Sequence, residues 1–103
     1  MSSDFAIGLR EKLNALDLHL PADMEAHVNG DFVEVTHLWV KPFARRDGIA
    51  SWLLIRAMDE AKQAGATQFA VTIGGGDAAQ ALLEKLSMDV ERDGDYVIGR
   101  TML

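Results

Sequence analysis

The chain has 103 residues, a net charge of −6, 49% hydrophobic and 25% charged residues, the balance of one small globular domain and not of a disordered or fibrous polymer. It contains no cysteine, which excludes disulfides, thiolate metal sites and a thiol nucleophile and suits the cytoplasm. The acidic balance argues against nucleic acid as a partner, because phosphate binding needs a concentrated basic face. The apolar run Trp52–Ile55 is far too short to span a bilayer, so no membrane partner is expected. His19, His27 and His37 have no ligand spacing, and no metal site is expected.

Phe5, Leu9, Leu13 and Leu16 recur at near-helical spacing, so residues 3–16 read as an amphipathic helix that Ser3 or Asp4 can cap. Pro21 breaks the pattern. Residues 24–28 and 31–40 then flank Asn29-Gly30, a dipeptide suited to a tight hairpin turn. Residues 48–63 form the clearest helix, with Ala50, Leu53, Leu54, Ala57 and Ala61 on one face and Gly65 as a stop. Trp52, Ile55 and Met58 widen its apolar surface, for burial under the first helix or for a homodimer contact.

Residues 67–73 are β-rich and follow a returning helix, which predicts a strand parallel to residues 32–40. Gly74-Gly75-Gly76 ends it, at a position where backbone can lie against a ligand. Asp77 can cap a helix over 78–86, and residues 88–92 and 95–102 close the chain as a hairpin turned at Asp93-Gly94. The predicted fold is α/β (α+β), a mixed central sheet flanked by helices in the order α-β-β-α-β-α-β-β.

Chemistry concentrates between Leu38 and Ala50, where a strand runs through Pro42 into a basic, glycine-containing turn and then a helix. Orphan amide N–H groups at a helix start and the positive end of its dipole favour an anion, and Arg45 and Arg46 add permanent charge. Leu38-x-Val40-x-Pro42, followed by Arg45-x-x-Gly48-x-Ala50 and Leu53-Leu54, resembles the acetyl-CoA-binding segment of the GNAT superfamily of N-acetyltransferases. The resemblance implies acetyl-CoA as cosubstrate. It assigns the pantetheine arm to Leu38, Trp39 and Val40 and the pyrophosphate to Arg45, Arg46, Asp47, Gly48, Ile49 and Ala50, with Gly76 as a further coenzyme contact. It also implies one GNAT-like domain over residues 1–103, in which 1–31 is a reduced N-terminal part and 32–103 the coenzyme-binding core and closing hairpin.

Two departures from the family pattern bear on catalysis. Only about thirty residues precede the coenzyme segment, too few for a helix pair plus three strands of ordinary length, so the acceptor side is expected to be open or completed by another subunit. The family often carries Asn-x-x-Ala-x-x-Leu-Tyr-Glu, whose tyrosine protonates the leaving thiolate. Here Ala79, Leu82 and Glu84 match that pattern, but Gly76 replaces the asparagine and Leu83 the tyrosine.

The resemblance makes Glu34 a general-base candidate, because several members place such a base at that position of the strand. His37 is another, as an imidazole ordinarily titrates near neutrality, although simple alternation puts it on the face opposite Glu34 unless the strand carries the bulge common in the family. Tyr96, the one tyrosine, is the substitute acid. The expected activity is direct acetyl transfer to a primary amine whose identity the sequence does not give. A second reading is an acyl-CoA-binding or protein-interaction module with little or no turnover.

Overall fold

The computed structural model describes residues 3–41, 44–45 and 48–103, with side chains from Ile7 onward. Its elements run α1 (Ser3–Asn14), β1 (Ala22–Asn29), β2 (Phe32–Val40), α2 (Ile49–Gln63), β3 (Gln68–Gly74), α3 (Gly76–Lys85), β4 (Asp89–Asp93) and β5 (Tyr96–Met102), the predicted order. The strands form one sheet in the order β1-β2-β3-β5-β4, in which β2 and β3 are parallel and every other pair is antiparallel.

The period-2 alternation of apolar residues decides which face is covered. Ala22, Met24, Ala26, Val33, Val35, Phe69, Val71, Ile73 and Val97 are buried on one face, in a single core with Leu9 and Leu13 of α1, Leu53, Leu54, Ala57 and Ala61 of α2, and Ala79 and Leu83 of α3. All three helices therefore lie on the same side. The opposite face carries Asp23, Glu25, His27, His37, Trp39, Tyr96, Arg100 and Met102, all exposed, and no helix of the described residues covers it.

A bulge in β2 sets the position of His37. Ala26 pairs with Val35 and Glu25 with His37, so Thr36 is an extra residue with no partner on β1. The extra residue keeps Leu38 and Val40 on the helix side with Val33 and Val35, and puts Glu34, His37 and Trp39 together on the open side. Simple alternation, which separates His37 from Glu34, is thereby corrected.

The same strand leaves its neighbour early. Pairing between β2 and β3 runs only from Phe32 and Gln68 to Val35 and Val71. Beyond that point β2 stays bonded to β1 as far as Val40, while β3 stays bonded to β5 as far as Gly74. The two central strands diverge.

Side chains from α1 and the turn after it close the β1 edge. Asn14 accepts from the Ala26 N–H at 2.8 Å and donates to the Ala26 carbonyl at 3.1 Å, and Asp17 accepts from the Met24 N–H at 2.8 Å. These bonds satisfy groups that an edge strand otherwise offers to another chain. Glu60, 6% exposed, joins α2 to α1 by accepting from Lys12 at 3.0 Å and Arg56 at 2.9 Å.

Four local expectations shift. The hairpin turn falls on Gly30-Asp31 rather than Asn29-Gly30, and Asp31 also receives Thr67, whose N–H bonds its carbonyl at 2.8 Å and whose hydroxyl bonds its carboxylate at 2.7 Å. α1 ends at Asn14, two residues early, where that side chain turns to serve β1. α3 starts at Gly76, two residues early, so its N-cap is Gly75 and Asp77 lies in its first turn with the carboxylate 2.8 Å from Arg92. Trp52 and Ile55 remain 50% and 53% exposed, outside the cover of α1, whereas Met58 packs on the core. The expected Ser3 or Asp4 cap and the Phe5 side chain lie outside the described side chains.

Gly99 is where α3 comes closest to the sheet. A Cβ there would stand 2.9 Å from Leu83 Cδ1 and 3.0 Å from Met88 Sδ. Gly99→Ala is expected to destabilise the fold by about 1–2 kcal/mol, overpacking outweighing the lower backbone entropy cost of alanine. The measurement is the denaturant midpoint, and an unchanged or raised midpoint would contradict this packing.

Candidate functional site

The divergence of β2 and β3 opens a cleft of about 490 Å³. Leu38, Val40 and Ile73, which point to the helix side, line it together with His37 and Trp39, which point to the open side. A cleft walled by residues from both faces passes through the sheet. Arg45 and Ala50 line its β2–α2 side, and Gly74, Gly75, Ala78, Ala79 and Leu82 its β3–α3 side.

Ladder geometry shows which backbone groups enter this passage. The Lys41 N–H donates to the Pro21 carbonyl at 2.8 Å, which turns Lys41, and by alternation Trp39, toward β1. Leu38 and Val40 therefore direct their N–H and C=O groups into the divergence. The Val40 carbonyl agrees with this, since it accepts from Arg45 Nε at 2.9 Å. The Arg45 guanidinium lies 5.7 Å from the Trp39 ring centroid, a cation–π contact that fixes it beside the cleft.

α2 begins beside Arg45 as an anion site requires. Gly48 is its N-cap at φ 78°, a left-handed conformation that glycine adopts without strain, and its carbonyl accepts the Trp52 N–H at 2.9 Å. No acidic residue occupies the first turn, so the orphan amides of Ile49, Ala50 and Ser51 and the positive helix end carry no competing carboxylate from this helix. Gly48 and Ile49 line an adjoining hollow of about 290 Å³ with Leu20 and Trp52, and not the main cleft. Arg46 and Asp47, also assigned to the pyrophosphate, lie outside the described residues, as does Pro42.

On the opposite wall the glycine run divides its tasks. Gly74 and Gly75 line the cleft, whereas Gly76 is buried outside that lining and its N–H donates to the Asp95 carbonyl at 3.0 Å. Gly75 has φ 124°, and a Cβ there would approach Ala79 Cβ to 3.3 Å. Arg92 holds this wall to the closing hairpin: its guanidinium donates to Asp77 at 2.8 Å, to Gln80 at 3.0 Å and to the Gly94 carbonyl at 3.1 Å.

Of the three catalytic candidates, His37 lines the cleft. Glu34 is half-buried one residue before the last β2–β3 pair, with Ala70 and His27 as cross-strand neighbours. Tyr96 pairs with Gly74, is 60% exposed, and has Cε1 3.9 Å from where a Gly74 Cβ would stand, so it flanks the passage without lining it. All three share the open face. Leu83 is fully buried against Gly99, away from the cleft that its neighbour Leu82 lines. Ala79 and Leu82 of the matched family pattern also line the cleft, with Ile73 and Ala78, of which only Ala78 carries a signal in the sequence, as a small residue close behind the glycines.

A family model described as acetyltransferase (GNAT) family matches residues 17–88, more than half of the chain. The chain belongs to the GNAT acetyltransferase family. Its solved likenesses include the PaiA N-acetyltransferase from Thermoplasma acidophilum in complex with coenzyme A, at TM-score 0.68 and 20% identity over 80% of this chain and 53% of that one. Another is the ribosomal-protein-S18-alanine N-acetyltransferase from Escherichia coli, at TM-score 0.68 and 21% identity over 80% and 61%. A putative acetyltransferase from Agrobacterium tumefaciens matches at TM-score 0.66 and 17% identity over 100% of this chain and 94% of its own. At these identities the likeness is one of fold, and this GNAT chain spans between half and two thirds of the length of the first two. No curated protein sequence matches it.

If Arg92 fastens the glycine wall of this GNAT cleft, Arg92→Ala should leave the fold intact while raising amide hydrogen exchange at residues 76–79 about tenfold, with the β1–β2 amides unchanged. Uniform exchange across the chain would assign Arg92 to global stability instead.

Proposed function

We propose that this GNAT chain is an acetyl-CoA-dependent N-acetyltransferase that moves an acetyl group directly to a primary amine. One observation carries the reading: the diverging central strands form a passage through the sheet, with free main-chain donors on one wall and a helix N-terminus beside a fixed guanidinium at its edge. Apolar walls suit a thin acyl arm, and the α2 start suits a diphosphate. Acetyl-CoA supplies the acetyl group as a thioester already activated for transfer.

The chain's own groups do the rest. The first-turn amides of α2 hold the anion with help from Arg45. The Leu38 and Val40 N–H groups act as preorganised donors to the acyl arm, at no reorganisation cost during reaction. Gly74 and Gly75 let the facing wall approach closely. His37, on the open side of the passage, takes the proton of the incoming amine, and Glu34 on the same face assists. With leucine at position 83, α3 offers no phenol, and the proton returned to sulfur comes from solvent or from Tyr96.

The buried Leu83 also favours the second reading, a coenzyme-holding module with little turnover. Calorimetry with acetyl-CoA and a thiol-release assay over an amine panel separate the two: binding with release supports the enzyme, binding without release supports the module. His37→Gln is expected to lower the rate constant about 100-fold with coenzyme affinity unchanged, and Glu34→Gln to lower it less. Equal rates in His37→Gln and the parent would remove the imidazole from the mechanism.

A further inference from the structure

The bare sheet face is as strongly patterned as the covered one. Register places Asp23 and Glu25 of β1, Glu34 of β2, and Asp89, Glu91 and Asp93 of β4 on it, six carboxylates toward its two edges. The basic side chains of the sheet on this face are His27, His37 and Arg100, of which Arg100 is paired with Glu91 at 3.2 Å and His27 stands 3.5 Å from Glu25, while the Arg45 guanidinium over Trp39 adds one cation at the passage edge. Between the acidic flanks, Trp39 and Tyr96 stand on either side of the passage at 40% and 60% exposure. His37 and Trp39 belong both to this face and to the cleft, so whatever lies on the face has direct access to the passage.

We infer that this face is the docking surface for a basic, extended peptide segment, whose lysine or terminal amine enters the passage. The inference rests on the acetyltransferase reading. Three observations choose this occupant. A second copy of the chain, docked face to face, would set six carboxylates against six, and like charges brought together cost free energy. Strand addition at the β1 edge is closed by Asn14 and Asp17. A single small cation is too short: four strand spacings of ~4.8 Å separate the acidic flanks by about 19 Å, more where β2 and β3 diverge, which matches about six residues of extended chain. Tyr96, exposed at the passage mouth, offers an aromatic face to an ammonium, the Trp39 ring being taken by the Arg45 guanidinium.

The test titrates a fluorescent peptide of about twelve residues, lysine-rich and otherwise Gly/Ser, against the whole chain and follows anisotropy, which needs no turnover. Binding is expected to weaken about tenfold between about 20 and 200 mM salt. The triple variant Glu25→Lys, Asp89→Lys, Asp93→Lys should weaken it at least tenfold, and the milder Glu25→Gln, Asp89→Asn, Asp93→Asn about threefold in case the reversal perturbs folding. Asp59→Lys, on the solvent side of α2, should change it less than twofold. Equal binding of a glutamate-rich peptide, equal weakening by Asp59→Lys, or displacement of the peptide by equimolar spermidine would each overturn the inference. Coenzyme calorimetry on the same preparation keeps the two proposals apart: peptide binding without coenzyme binding defeats the acetyltransferase reading, and coenzyme binding without peptide binding defeats this one alone.

Discussion

The parting of β2 from β3 after Val35 and Val71 is the constraint from which the site follows. Buried backbone donors and acceptors must be paired, so two strands can separate inside a sheet only if each is held on its other side. Here β1 holds β2 to its end and β5 holds β3 to its end, which leaves one row of main-chain groups on each strand facing the gap. Thr36 makes the gap useful. Its insertion re-phases β2, so the strand that supplies donors to the passage also sends His37 and Trp39 to the far side. A through-sheet cleft thus arises from pairing and register.

The one-sided arrangement of helices has an equally local origin. Each strand places its apolar residues on one phase, and β4, the most polar strand, keeps Val90 on the covered side while Asp89, Glu91 and Asp93 face solvent. The N-terminal segment goes to the same side, because Leu9 and Leu13 need the core and because Asn14 and Asp17 find the unpaired groups of β1 at the edge. Glu60 then ties α2 to α1 through Lys12, with Arg56 of its own helix as a second cation, and a carboxylate buried to that degree is tolerable only when so paired. With these demands met, all three helices are on one side, and no helix among the described residues covers the second face. Openness there is a result of where the apolar residues lie, and it is what gives an acceptor room on the proposed reaction.

Much of this was legible in the residues. Apolar spacing over Leu53–Ala61 identified α2, the β-rich run after Gly65 identified β3 and its parallel pairing, and the Gly48 turn marked a strand entering a helix start. What escaped had physical reasons. A threonine in a strand looks like any β-former, so the bulge at Thr36 has no local signature, and only the family resemblance left open that His37 shares the face of Glu34. Helix periodicity flags apolar positions only, so a buried Glu60 reads as surface until Lys12 arrives from another helix. Asp77 is a good cap by type, but Gly75 and Gly76, both at positive φ, start the helix two residues earlier and leave Asp77 in its first turn. Trp39 is 40% exposed for its part because no helix among the described residues covers its face.

Packing also explains the missing phenol on α3. Leu83 is at full burial with Cδ1 over the backbone of Gly99, and Gly99 is itself the only residue small enough for α3 to sit this close to β5. A tyrosine at 83 would carry a larger ring and a hydroxyl into a site already at contact distance, with no polar partner among the apolar neighbours, which costs both overpacking and an unsatisfied hydroxyl. Leucine at 83 and glycine at 99 are therefore one choice. The helix lies flat on the sheet, Leu82 and Ala79 become its cleft-facing side, and proton traffic on the proposed reaction moves to the open face, where His37, Glu34 and Tyr96 already stand together.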